Sequence, residues 1–142
     1  MTDRAAEILK GYVVKLAYEN VHWCWFNTPG FAGKLLSHCK SDNVYFNFDI
    51  KQAAQCGMEP LDFLDAMGER VANIHICDFV RREDDTWPVM PFTGEFDFTA
   101  LRDRLGQMDY DGALVLEVYS NNFGPLEELK ASYDSLGAFF GI

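Results

Sequence analysis

Strand-like runs alternating with helix-like ones constrain this chain more than any other feature. Four mostly apolar runs read as short strands, over Tyr12 to Glu19, Asn43 to Asp49, Val71 to Cys77 and Ala113 to Val118. The stretches between them place apolar residues at helical spacing. Residues 2 to about 11 carry a stripe of Ala5, Ala6, Ile8 and Leu9, with Thr2 placed to cap the helix and Gly11 to stop it. Thr28-Pro29 starts a helix that runs through Leu35 and Leu36 to about Cys39. Lys51 to Cys56 predicts a short helical turn closed by Gly57. Pro60 opens a helix with Leu61, Phe63, Leu64 and Met67 on its apolar face. Asp97 or Thr99 caps the next helix, and the last carries Leu126, Leu129, Tyr133, Leu136, Phe139 and Phe140. Residues 79–96 hold Trp87-Pro88, Pro91 and Gly94 and are expected to form a long irregular loop. The expected architecture is α/β: a parallel sheet of four strands with covering helices and right-handed crossovers, one domain over residues 1–142.

Each strand run ends on a side chain with chemistry to offer. The first ends in Glu19 and the second in Asp49. The third delivers His75 and then Asp78, and the fourth carries Glu117. Successive strand side chains point to opposite faces. The other parity (Leu16, Tyr18, Val44, Phe46, Phe48, Ile74, Ile76, Leu114, Leu116, Val118) is bulky and apolar, as expected under a layer of helices. Glu19, Asp49, His75 and Glu117 therefore share one face at the carboxyl ends of parallel strands, where α/β folds place their sites. Any one of them alone reads as a helix cap, a loop salt bridge or a satisfied core histidine. Four at equivalent strand ends with matched parity read as a site. Three partly buried carboxylates repel one another; a divalent cation resolves that repulsion, with His75 as a neutral nitrogen ligand. An oxygen-rich set with one imidazole suits Mn²⁺, Mg²⁺ or Co²⁺ at least as well as Zn²⁺.

Composition excludes other classes. The 142 residues carry a formal charge of −10, from 22 acidic and 12 basic side chains. Such a surface repels phosphate backbones, and Arg81-Arg82 is followed at once by Glu83-Asp84-Asp85, so nucleic acid is not an expected partner. Cys24, Cys39, Cys56 and Cys77 are far apart in sequence, which fits free thiols in a reducing cytoplasm. No apolar run reaches membrane-spanning length, and Met1-Thr-Asp-Arg opens a polar helix rather than a signal peptide, so the expected location is cytoplasmic. Neither GxGxxG nor GxxxxGK[ST] occurs.

Tyr18-Glu-Asn20, Phe48-Asp49, Gly68-Glu-Arg-Val71 leading to Asn73-Ile-His-Ile-Cys-Asp78, Gly94-Glu-Phe-Asp-Phe98, and Tyr110-Asp-Gly112 leading to Leu116-Glu117 follow one another in order. In these motifs the chain resembles the carboxyl-terminal half of the xylose isomerase-like barrel superfamily, which includes sugar phosphate isomerases and epimerases and endonuclease IV. The resemblance implies a parallel (β/α)4 half of a TIM barrel. It implies one divalent metal held by Glu19, Asp49, His75 and Glu117, with the two glutamates moving protons on opposite sides of a small sugar or keto-sugar. The reaction implied is deprotonation beside a carbonyl, a metal-stabilised enediolate, and reprotonation. Arg81 matches an arginine that contacts substrate oxygens in the tagatose-epimerase-like branch.

The chain departs from the family in two ways. Gln52 stands where the family often has a histidine, which disfavours endonuclease chemistry and leaves a residue able to hydrogen-bond a hydroxyl but not to shuttle a proton. The four amino-terminal strand–helix units are absent. Two open sheet edges then invite a homodimer or a partner half-barrel, and a non-catalytic metal- or sugar-binding subunit is the alternative to an isomerase. Asn20, His22, Trp23 and Trp25, just past the first strand, are placed to meet a sugar, and Asp78 to orient a ligand or a loop.

Overall fold

The structure, a computed structural model, describes residues 1–83 and 85–142; Asp84, within the stretch expected to be irregular, lies outside them. Among the described residues the helices are α1 (Thr2–Lys10), α2 (Gly30–His38), α3 (Ile50–Gln55), α4 (Pro60–Met67), α5 (Phe98–Gln107) and α6 (Leu126–Phe140). The strands are β1 (Leu16–Glu19), β2 (Val44–Asp49), β3 (Val71–Ile76), β4 (Asp78–Arg82), β5 (Asp85–Val89) and β6 (Ala113–Leu116). β1, β2, β3 and β6 form one sheet in that order, with every pairing parallel.

The apolar parity of the strands makes the core. Val44, Phe46, Phe48 and Ile74 are fully buried and Ile76 nearly so. Phe46, Phe48, Ile74 and Ile76 pack with Ala53 and Ala54 of α3, Phe63 and Leu64 of α4 and Leu101 of α5. Phe26 closes one end, its ring 5.4 Å from Phe46 and 6.2 Å from Phe63. α4 begins on Pro60 and ends at Gly68, whose φ of 54° suits a residue without Cβ.

One irregularity sets the register that the site needs. Phe46 pairs with Val71, but Asn47 pairs with Asn73, so Ala72 is an extra residue in β3. A one-residue slip exchanges the two faces of a strand. The slip here brings Asn73 and His75 onto the face of Asn47 and Asp49, with Asp49 opposite His75.

Several expected boundaries move. The first strand starts at Leu16, not Tyr12, because α1 unwinds through a turn in which Tyr12 and Val14 donate to the Leu9 carbonyl and Val13 takes a φ of 59°. Tyr12 and Val13 are left 76% and 96% exposed. Thr2 does not cap α1; its hydroxyl hydrogen-bonds that of Tyr18 at 2.7 Å. The larger correction concerns residues 79–96. Asp78–Arg82 and Asp85–Val89 form an antiparallel hairpin, with Phe79 opposite Pro88 and Val80 opposite Trp87. Proline is tolerated because a two-stranded ribbon has only edge strands.

The last helix is thinly attached. Leu136 is its only buried residue among those described, while Leu126 and Tyr133 are 71% and 67% exposed. A groove of about 340 Å³, lined by Leu114, Leu116, Tyr133 and Phe140, runs between β6 and α6. Among the described residues, β1 and β6 each pair on one side only. No described helix is long and apolar enough to cross a membrane.

Candidate metal centre

The sheet brings the four strand-end residues together. Glu19 closes β1, Asp49 closes β2, and His75 is the penultimate residue of β3. Glu117 follows β6, where its N–H still bonds the Ile76 carbonyl at 2.9 Å and carries the ladder one residue further. One donor atom from each residue lies within 4.8 Å of the others, and among the described residues this is the group arranged to hold a metal ion. His75 Nδ1 is 3.4 Å from Glu19 Oε1 and 3.7 Å from Asp49 Oδ2, and it touches Glu117 Oε2. Asp49 is fully buried, whereas Glu19, His75 and Glu117 keep 35%, 21% and 37% of their side-chain surface. The cluster is therefore closed at its base and open above.

Asp49 divides its carboxylate between two tasks. Oδ1 accepts the Gln52 N–H at 2.8 Å and caps α3; Oδ2 faces the cluster. Asn47 sits against the His75 ring, with Nδ2 3.1 Å from one ring nitrogen and 3.2 Å from the other, and its Oδ1 accepts from Asn73 at 3.0 Å.

Lys51 is the residue that sequence reasoning missed. Its side chain is 1% exposed, and Nζ donates to Asp49 Oδ2 at 2.8 Å and lies 3.0 Å from Glu117 Oε1. The repulsion among three carboxylates thus has a counter-charge within the chain itself. The available signal was its position, one helical turn before buried Ala54 in a short helix whose Ile50 and Ala53 also face inward.

Charge pairing shifts the titration of the site. Asp49 and then Glu117 push the His75 imidazole up to about 10, and His75 and Lys51 hold the Glu117 carboxyl down at about 2. Burial first, then the Asp49 charge, raises Glu19. Burial alone would lower Lys51, but Asp49 and Glu117 outweigh it and hold it above the ordinary lysine value. For His75 the folded value exceeds the free one, so its contribution to stability is complete below pH 6.5 and is lost as pH rises towards 10. For Glu117 the contribution is complete above pH 4.5 and is lost as pH falls towards 2. Glu19, also raised, makes a contribution that is complete below pH 4.5 and is lost as pH rises through its higher folded value. Metal-free protein should therefore melt highest in the mildly acid range, as a pH series of melts in EDTA would show. Divalent-metal affinity should climb with pH over the range in which His75 gives up its proton.

The family described as a xylose isomerase-like TIM barrel matches residues 2–138. The chain belongs to the xylose isomerase-like TIM barrel family. Its parallel sheet and covering helices make up half of such a barrel, and the chain spans about half the length of the first solved structures it matches. A D-tagatose 3-epimerase-like protein is 22% identical with a TM-score of 0.75, over 97% of this chain and 51% of its own. The IOLI protein, solved with a zinc atom, is 20% identical with a TM-score of 0.78, over 98% and 53%. The 3-keto-D-glucoside 4-epimerase YcjR from E. coli is 17% identical with a TM-score of 0.75, over 94% and 49%. No protein with curated function matches the chain.

In this xylose isomerase-like chain the donor set fits a divalent cation. Three carboxylate oxygens and an imidazole nitrogen converge, each within 4.8 Å of the others. The other expected site residues divide. Gln52 stands at the rim, where its Oε1 meets His22 Nδ1 at 2.7 Å and accepts the His22 N–H at 3.2 Å. Trp23, beside them, is 75% exposed. Asn20 is not free to meet a substrate: it is fully buried and exchanges two hydrogen bonds with the backbone of Asp49. Arg81 is not brought to the cluster; it lies in the hairpin and pairs with Glu59 at 3.2 Å and Glu95 at 3.7 Å. Asp78 orients a loop rather than a ligand, accepting from the backbone N–H groups of Phe79, Gly94 and Phe96.

Proposed function

We propose that this chain is a divalent-metal-dependent isomerase or epimerase of a small sugar or keto-sugar, working by proton transfer through an enediolate. The observation that carries this reading is the convergence of Glu19, Asp49, His75 and Glu117 at the carboxyl ends of four parallel strands. These four residues would hold the ion; the oxygen-rich set favours Mn²⁺, Mg²⁺ or Co²⁺, and it can also accept Zn²⁺. A bound divalent ion supplies Lewis-acid polarisation of a carbonyl and its neighbouring hydroxyl. Glu19 and Glu117 come from the two outer strands and flank the inner pair. One glutamate takes the proton from the carbon beside the carbonyl. The other returns a proton to the same carbon, giving an epimer, or to its neighbour, giving an isomer. His22 and Gln52 at the rim are placed to hydrogen-bond hydroxyls, and the exposed Trp23 ring to lie against a sugar.

The test is proton exchange. With Mn²⁺ bound, the protein in heavy water should incorporate deuterium beside the carbonyl of at least one ketose in a panel followed by proton NMR. Glu117→Gln should slow that exchange about 10²–10⁴-fold. Absence of exchange across the panel, with metal demonstrably bound, would leave the second reading: a metal- or sugar-binding subunit that acts only with a partner half-barrel or a second copy. That reading is supported by the unpaired edges of β1 and β6 and the thin attachment of α6.

A further inference from the structure

Lys51 takes no part in the proton transfers above, yet its ammonium is held inside the site. The side chain is 1% exposed and bridges two of the four converging residues, Asp49 at 2.8 Å and Glu117 at 3.0 Å. Asp49 commits Oδ1 to the cap of α3, so Oδ2 is the oxygen left for the cluster, and Lys51 holds that oxygen. An ammonium in so dry a position persists only with carboxylates around it, and buried carboxylates gain as much from the ammonium. The charge balance is specific. Once His75 has given up its proton to serve as a ligand, three carboxylates and one ammonium leave a site of charge −2, which one divalent ion cancels.

We propose that Lys51 is the resident cation of this site. It holds Asp49 and Glu117 in place when no metal is bound, and it limits the charge the site accepts to that of one divalent ion. The inference rests on the metal-centre reading above. It predicts two effects of opposite sign. Without the ammonium, buried Asp49 and partly exposed Glu117 lose a partner and the metal-free protein weakens. The same loss removes a positive charge that competes for Asp49 Oδ2, so an incoming ion binds more tightly. A lysine that only packed would not raise metal affinity when removed.

The experiment is a Mn²⁺ titration of wild type, Lys51→Met and Lys51→Arg, with thermal melts in EDTA and in saturating Mn²⁺. Lys51→Met keeps the length of the side chain without its charge. In EDTA it should melt lower than wild type by about 5 °C or more, and its Mn²⁺ dissociation constant should be lower about tenfold or more. Lys51→Arg, which keeps the charge, should stay near wild type in affinity. Wild type that binds Mn²⁺ with Lys51→Met binding no tighter overturns the role of Lys51 alone. Binding by neither protein overturns the metal-centre reading, and this inference with it. If Lys51→Met folds only with Mn²⁺ present, its melt in saturating Mn²⁺ decides: a return to the wild-type value supports the proposal, and a deficit that persists overturns it.

Discussion

Adding Mn²⁺ to EDTA-stripped protein should raise its melting temperature, and Asp49→Asn combined with His75→Ala should abolish that rise. A ligand that binds only the folded state stabilises it by about 2.7 kcal/mol at a hundredfold excess over its dissociation constant. For a chain of 142 residues that corresponds to an upward shift on the order of 10 °C. The pair of substitutions is chosen to spare the scaffold. Asparagine at position 49 keeps a side-chain oxygen to accept the Gln52 N–H and cap α3, while it removes the negative charge. His75 is partly exposed, so its truncation opens no deep cavity. The variant should remain folded in EDTA, because Lys51 keeps Glu117 as a partner. An undiminished Mn²⁺ response in the variant would place the ion elsewhere, and no response in wild type would remove the metal centre altogether.

Asp78→Ala should cost about 3–5 kcal/mol of folding stability. The Asp78 side chain is 1% exposed and receives three backbone N–H groups: Phe79 at 2.7 Å, Gly94 at 2.8 Å and Phe96 at 3.0 Å. Truncation leaves all three donors without this acceptor; the Phe79 N–H is buried, while those of Gly94 and Phe96 are only partly shielded from water. A domain of this kind is stable by about 5–15 kcal/mol in total, so the loss is a large share. Gly94→Ala approaches the same feature from the other side. A Cβ at Gly94 would fall well inside contact distance of the Phe79 carbonyl oxygen and of Asp78 Oδ1, and backbone cannot yield as a side chain can. Urea unfolding should show both variants with lower midpoints and an unchanged slope. A midpoint within error of wild type for Asp78→Ala would mean that the hairpin and the turn at Gly94 are held by other contacts.

The strands and the converging residues were legible because each rests on local pattern. Apolar parity from Val44 to Phe48 and at Ile74 and Ile76 puts one face under the helices, and the polar parity then has only one place to go. The bulge at Ala72 was not legible, since it lies in the pairing of two strands rather than in either one. Nor was the hairpin after β3. Its turn residue Glu83 adopts a φ of 41°, a conformation usually signalled by glycine or asparagine, and Pro88 argued against a strand. Lys51 escaped notice for another reason. Lysine on a short helix ordinarily reaches for solvent, and only the arrival of Glu117, just past a strand far along the chain, gives its ammonium a second carboxylate partner. Asn20 was placed correctly at the end of β1, but its amide is turned to a neighbouring backbone instead of outward.

That amide divides the chain into what can vary and what cannot. Asn20 donates to the Asp49 carbonyl and accepts from the Asp49 N–H, both at 2.8 Å, so one side chain satisfies both backbone groups of Asp49 where β1 ends. Asp49 is thereby tied to the residue beside Glu19 before the chain enters its loop. The exposed segment bearing His22, Trp23 and Trp25 inherits little responsibility for the spacing of the two carboxylates. Its length and composition can be redrawn to suit a different guest, as a lock's keyway can be recut without moving the bolt.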